Sequence, residues 1–156
     1  MKDPMEMAAT VVNALSLDGK RTDALARHAI PVRKLLITKA TPIEKDVKDR
    51  VKKIVGMLAP EAHIFMPVQT GFGSPDLDFV ISVNGFALRI ETKVDHKQPT
   101  PRQMQTIAAL DRAGVPVVVV DQSNLIDVAI SVDFLLRGMQ GDAIQFARSQ
   151  REDYIR

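Results

Sequence analysis

Residues 77–94 alternate between apolar and polar types, with one interruption. Leu77 to Val83 and Phe86 to Val94 each repeat with a period of two, and Asn84-Gly85 stands between them, the pair best suited to a two-residue hairpin turn. A turn of that length fixes the register. Val83 then opposes Phe86, Ile81 opposes Leu88, Phe79 opposes Ile90, Asp78 opposes Glu91 and Asp76 opposes Lys93. Directly opposed residues share a face, so Leu77, Phe79, Ile81, Val83, Phe86, Leu88 and Ile90 are predicted to form one apolar side. Asp76, Asp78, Glu91 and Lys93 gather on the other.

On either side of the hairpin the period changes to that of a helix. Thr41-Pro42-Ile43-Glu44 reads as a capping box, with threonine at N-cap, proline at N1 and glutamate at N3, opening a helix that runs to about Leu58. Ile43, Val47, Val51, Ile54, Val55 and Leu58 make its apolar stripe, while Lys45, Lys48, Lys52 and Lys53 face outward. His63 to Met66 predicts a short strand, and Gly71, Gly73 and Pro75 an irregular loop. Thr100-Pro101-Arg102-Gln103 is a second capping box; its helix turns Met104, Ile107 and Ala108 inward and stops at Gly114. Val115 to Val120 follows as a buried strand, which a crossover helix of this length places parallel in the interior of the sheet. The fold class is therefore α/β: a helix, a three-stranded antiparallel meander, a helix and a parallel strand, forming a mixed sheet flanked by helices. Residues 1–40 read as a helical extension, with a helix over Met5 to Leu15, a break at Asp18-Gly19 and a second short helix capped by Thr22 that stops before Pro31. Residues 41–121 read as the core. Residues 122–156 read as a C-terminal helical extension of the same domain, with helices around Asp133 to Arg137 and Asp142 to Arg151.

Composition narrows the chemistry. The 156 residues suit one domain, and 46% hydrophobic with 26% charged is the balance of a soluble globular protein. The longest apolar run, Val115 to Val120, falls far short of the ~20 residues of a membrane span, and no signal-peptide pattern is present, so a cytoplasmic location is expected. With no cysteine and three scattered histidines, any metal here is held by oxygen. The net charge is only +2, but Lys20 to Lys53 holds eleven basic and four acidic residues, so that segment alone is +7. A surface of that sign attracts polyanions, or simply solvates helix faces.

Magnesium takes hard oxygen ligands and keeps several waters, so one or two carboxylates with a substrate phosphate suffice to hold it. On an ideal ladder Asp76 and Glu91 are diagonal neighbours, their Cβ atoms ~7–8 Å apart, a gap one shared ion can bridge. Lys93 stands on the same face, where its ammonium can orient a water or stabilise charge developing on phosphorus. Asp78, directly opposite Glu91, is the alternative ligand to Asp76. The same four charges also suit the solvated face of an amphipathic hairpin; a crossover helix and an all-apolar final strand favour a covered sheet whose charges line a cleft.

Gly73-Ser74-Pro75-Asp76-Leu77, Ile90-Glu91-Thr92-Lys93 and Thr100-Pro101-Arg102-Gln103, followed by Ala113-Gly114 and a run of valines, resemble the VRR-NUC branch of the PD-(D/E)xK nuclease superfamily over about Thr41 to Asp121. The resemblance implies a nuclease-like α-β-β-β-α-β core and a Mg²⁺- or Mn²⁺-dependent phosphodiesterase. It implies Asp76, Glu91 and the backbone carbonyl of Thr92 as metal ligands, Lys93 as the catalytic lysine, Asp76 rather than Asp78 because the ligand follows proline, and site roles for Glu44 and Gln103. Glu44 and Gln103 also occupy N3 of their capping boxes, where either residue satisfies a backbone N–H. Lys45, Lys48, Lys52, Lys97 and Arg102 are candidate DNA-backbone contacts, as is Arg89; His96 reads as a surface-loop residue within reach of a phosphate. One Tyr, six Phe and no Trp leave few stacking platforms for single strands, which favours duplex or branched DNA held through its phosphates. The resemblance further implies a homodimer acting on four-way junctions, with a virus-encoded origin among the possibilities. The alternatives are a nucleic-acid binding module that kept the fold without catalysis, and an assembly protein whose basic helices meet an acidic partner.

Overall fold

A computed structural model describes residues 29–36, 38–68 and 76–155. The helix expected at Met5 to Leu15, the Thr22 cap and the Gly71–Pro75 loop lie outside the described residues. Within them the chain forms α1 (Ala29–Leu35), α2 (Glu44–Leu58), β1 (His63–Phe65), β2 (Phe79–Val83), β3 (Phe86–Thr92), α3 (Pro101–Arg112), β4 (Val117–Val120), α4 (Ile126–Leu136) and α5 (Gln140–Tyr154). The sheet order is β1-β2-β3-β4, antiparallel between the first three strands and parallel between β3 and β4. The architecture is thus mixed α/β, a four-stranded sheet flanked by helices. No helix among the described residues is long and apolar enough to cross a membrane.

The hairpin has the register its turn demands: Val83 faces Phe86, Ile81 faces Leu88 and Phe79 faces Ile90. Asn84 and Gly85 both adopt positive φ, at 52° and 81°, as a two-residue turn matched to strand twist requires. The Asn84 amide also donates to the carbonyls of Leu135 (3.2 Å) and Leu136 (3.3 Å), so the turn caps the C-terminal end of α4.

The ladder ends at Phe79–Ile90, short of Asp78 and Asp76. A bend at Asp78 breaks the alternation, and Leu77 packs with Ile107, Val117, Val119 and Tyr154 rather than with Phe79 and Ile81. The apolar face predicted to start at Leu77 therefore starts at Phe79. From there through Ile90 it joins Val47, Val51, Ile54 and Val55 of α2 and Val128, Val132 and Leu135 of α4 in the main core.

Helix α2 starts two residues after its predicted first residue, Pro42. Ile43 is the N-cap, Asp46 stands at N3, and the Asp46 carboxylate accepts the Ile43 N–H at 2.7 Å. Glu44 is therefore at N1 and has no capping duty, and Ile43, expected in the buried stripe, is 57% exposed. The expected helix end before Pro31 is also displaced: α1 runs through Pro31 to Leu35. Helix α3 matches its predicted cap and stop, but of the residues expected inward only Ile107 is buried: Met104 is half-buried and Ala108 is exposed, because the short helix meets the sheet along one narrow line. Thr100 Oγ1 accepts from the Gln103 N–H at 3.2 Å, and Gly114 (φ 76°) closes a Schellman motif through Gly114 N–H to Asp111 and Val115 N–H to Leu110.

β4 is not interior: it forms an edge of the sheet. Its four valines are nonetheless fully buried, because α5 covers the edge with side chains that imitate a neighbouring strand. Gln150 Oε1 accepts from Val119 N–H at 3.2 Å while its Nε2 donates to Val119 O at 2.6 Å, and Arg151 donates to Val117 O at 2.6 Å. Val119 O and the Asp127 carboxyl each keep a donor in Asn124, so truncating Gln150 leaves the buried Val119 N–H without its acceptor. Gln150→Ala should cost about 1–3 kcal/mol in urea unfolding. Loss of less than about 0.5 kcal/mol would mean that water replaces the amide freely.

Candidate active site

Two elements meet at the carboxyl end of β3: the strand and α3. The strand itself carries Glu91 and Thr92, the residue after it is Lys93, and the first turn of α3 brings Gln103 across the top. Glu91 is 2% exposed and Lys93 12%. The Lys93 ammonium lies 3.2 Å from Glu91 Oε1 and donates to Gln103 Oε1 at 2.9 Å, and Gln103 Nε2 donates to Glu91 Oε1 at 2.6 Å. Gln103 Oε1 also accepts the Thr100 N–H at 2.9 Å. Two donors converging on that oxygen orient the amide, leaving its NH₂ to face the carboxylate. Gln103 thus caps α3 and holds the site at once; the two roles set against each other in the sequence are one contact network.

Asp78 adjoins this group from the bend before β2. Its N–H donates to Glu91 Oε2 at 3.3 Å, while its Oδ2 accepts both the N–H (2.9 Å) and the hydroxyl (2.6 Å) of fully buried Thr92. Its Oδ1 lies 3.3 Å from the Lys48 ammonium, which lies 3.5 Å from Glu44 Oε1. Glu44, displaced from its predicted capping position, faces the site through this lysine. Asp76 is placed differently: its carboxylate accepts the Leu77 N–H at 2.8 Å and pairs with the Arg89 guanidinium, whose Nε is spent on the Phe79 carbonyl. Of the two aspartates open as partners of Glu91, Asp78 is the one hydrogen-bonded to it. Its nearness to Glu91 was legible in the register, as the residue directly opposite.

The lysines of α2 divide. Lys45 is 77% exposed and pairs with Asp49 at 3.1 Å, and Lys52 is 45% exposed beside the same aspartate. Lys48, expected outward with them, turns to the sheet and is 28% exposed. Lys97 and Arg102 are exposed on the loop and helix turn next to Lys93. His96 sits in a left-handed conformation (φ 57°), its ring 4.4 Å from Tyr154, as a surface-loop histidine.

The chain matches no family model, no curated protein and no solved structure. What the site can do therefore rests on its own electrostatics. Burial, and then the charge of Asp78, push the Glu91 carboxyl up to about 7, with Lys93 offsetting part of the rise. At Lys48, burial pulls the ammonium down, but the carboxylates of Asp78 and Glu44 outweigh it and raise its pKa, so it stays charged. The carboxylates of Glu91, Asp78 and Glu44 present hard oxygen donors with the ammoniums of Lys93 and Lys48 among them. Among the described residues no group of three or more Asp, Glu or His side chains is placed to hold a metal ion. Two surface cavities, of about 310 and 410 Å³, border different faces of the C-terminal half of α5, and neither is lined by Glu91, Lys93, Gln103 or Asp78.

Proposed function

We propose that this chain is a Mg²⁺- or Mn²⁺-dependent endonuclease that hydrolyses phosphodiester bonds in DNA. The observation that carries the proposal is the buried Glu91 carboxylate bonded at once to Lys93, at the end of the same strand, and to Gln103 of α3, all three of which the VRR-NUC resemblance also selects. Glu91, Asp78 and the Thr92 carbonyl would hold the ion, with Asp76 within the same loop as the other candidate ligand. A bound ion supplies an acidified water and polarises the phosphoryl oxygens. Lys93 then has two tasks: orienting the attacking water and stabilising the charge that grows on the phosphoryl group. Gln103 keeps Lys93 and Glu91 in register, and Thr92 fixes Asp78 through two hydrogen bonds. Lys45, Lys52, Lys97 and Arg102 flank the site as phosphate contacts, giving affinity without base readout and a steep fall with salt.

The proposed substrate is branched DNA, four-way junctions included. Paired cuts across a symmetric junction need two such sites, which makes a cytoplasmic homodimer the proposed active form. Labelled duplex, flap and four-way junction DNA incubated with Mg²⁺, Mn²⁺ or EDTA test the proposal. Cleavage should require the metal and should favour the junction. Cleavage that survives EDTA removes the mechanism; salt-sensitive binding with no cleavage under any divalent ion means a binding module on this fold.

A further inference from the structure

We infer that the outer face of β1 and β2 is a subsite for a base left unpaired at the branch of the DNA, with the Phe65 ring as its stacking platform. The inference rests on the proposed nuclease reading and narrows its substrate. Ile64 packs against the main core, so its neighbour Phe65 points to the opposite side of the sheet. There Phe65 lies in one row with Val80 and Arg89, and Glu91 stands two residues beyond Arg89 on the same face. At β4 this face is covered, and Val117 and Val119 are fully buried with Leu77, Ile107 and Tyr154. Towards β1 it is bare: His63, Phe65 and Ser82 are exposed, and Val80 and Ala87 are half-buried.

Phe65 stands apart from the other described aromatic residues. Phe79 is buried, Phe86, Phe134 and Phe146 pack against the core, and Tyr154 is 3% exposed, whereas Phe65 is 52% exposed. A solvated ring on a bare sheet is a platform that any base can use, because every base has a π-face. With strands ~4.8 Å apart and a rise of ~3.3 Å per residue, Phe65 lies about 12 Å from Glu91, the span of three to four stacked nucleotides at ~3.4 Å each. Charge on this side complements a strand crossing that span. Lys93 stands beyond Glu91, with Lys97 and Arg102 exposed next to it, so cations for phosphates accompany a ring for a base. A second copy of the chain seated on the same face would stand over the approach to Glu91; a nucleic acid is the occupant that leaves the site usable.

The chain has no tryptophan, so Phe65→Trp supplies one indole at the platform and nowhere else. Fluorescence titration of this variant in Ca²⁺ compares a duplex bearing a single-stranded flap with a blunt duplex. The flap should quench the indole, and a flap with abasic sites in its unpaired stretch should not. Phe65→Ala, checked for folding by circular dichroism, should bind the flap about 5- to 100-fold more weakly than wild type and the blunt duplex within about twofold of it, and Phe65→Tyr should recover the flap. An indole indifferent to the flap, or a Phe65→Ala loss that is absent or equal on both DNAs, overturns the inference. So does a dimer that Phe65→Ala turns into a monomer with DNA binding unchanged, which assigns the face to a second copy. Flap-specific quenching with no cleavage under Mg²⁺ or Mn²⁺ removes the nuclease reading and leaves the base subsite standing.

Discussion

Lys93→Ala should slow metal-dependent DNA cleavage by about 10²- to 10³-fold, the range seen when a positioned donor to developing charge is removed. The loss should fall on kcat, with KM and DNA affinity near wild type, because an ammonium that is 12% exposed and already engaged with Glu91 and Gln103 contributes little to the outer DNA surface. Single-turnover rates on a labelled junction at saturating enzyme measure this, with equilibrium binding measured in Ca²⁺. Lys93→Arg should recover only part of the rate, since the wider guanidinium cannot satisfy both Gln103 Oε1 and Glu91 Oε1 from the same place. A rate within about threefold of wild type in Lys93→Ala would reduce the lysine to an ion pair of modest worth.

A second large effect is expected in the pH dependence of stability. The Glu91 carboxyl is raised from 4.5 to about 7 in the folded chain, so below 4.5 both folded and unfolded forms are protonated and the group imposes no penalty. Between 4.5 and about 7 the unfolded chain releases the proton while the folded chain keeps it, and stability falls as pH rises; above 7 the penalty is complete. A shift of that size corresponds to about 3 kcal/mol at pH 8 relative to pH 4. Urea unfolding of wild type and Glu91→Gln across that range isolates the contribution, because the glutamine removes the titration and retains the shape. The difference between the two should grow with pH in favour of the variant. Mg²⁺ should restore wild-type stability at pH 8 and have little effect at pH 4, because an ion at the carboxylates favours the charged form. Parallel pH curves for the two proteins would place the source of strain elsewhere.

Local rules carried much of the fold. The Asn84-Gly85 turn, the strand pairing through Phe79–Ile90, the α3 cap and the Gly114 stop follow from chain neighbours, and local chemistry decides them. The misplacements arose where a distant part of the chain decides. Leu77 leaves its predicted face because α3 and Val117 offer it a pocket beyond the bend at Asp78, and periodicity carries no information about a bend. The edge position of β4 was hidden because Val117 to Val120 is as apolar as an interior strand; its cover comes from Gln150 and Arg151, some thirty residues on. At α2 two overlapping cap signatures competed, and Asp46 prevailed over Glu44. In the site, Glu91, Lys93 and Gln103 were named from their motifs and stand in contact, whereas the inward turn of Lys48 needs the position of α2 over the sheet. The nearness of Asp78 to Glu91 was readable from register alone.

The amide of Asn84 ties the tip of the hairpin to the last carbonyls of α4. Asparagine followed by glycine is the pair most prone to slow conversion into aspartate, and at this place the product would turn a lone-pair-rich carboxylate toward oxygens at the negative end of a helix dipole. A donor would become a repelling group without any mutation. Ageing of a stored preparation would therefore begin at the far end of the sheet from Glu91 and loosen the α4–hairpin joint before it touches the chemistry.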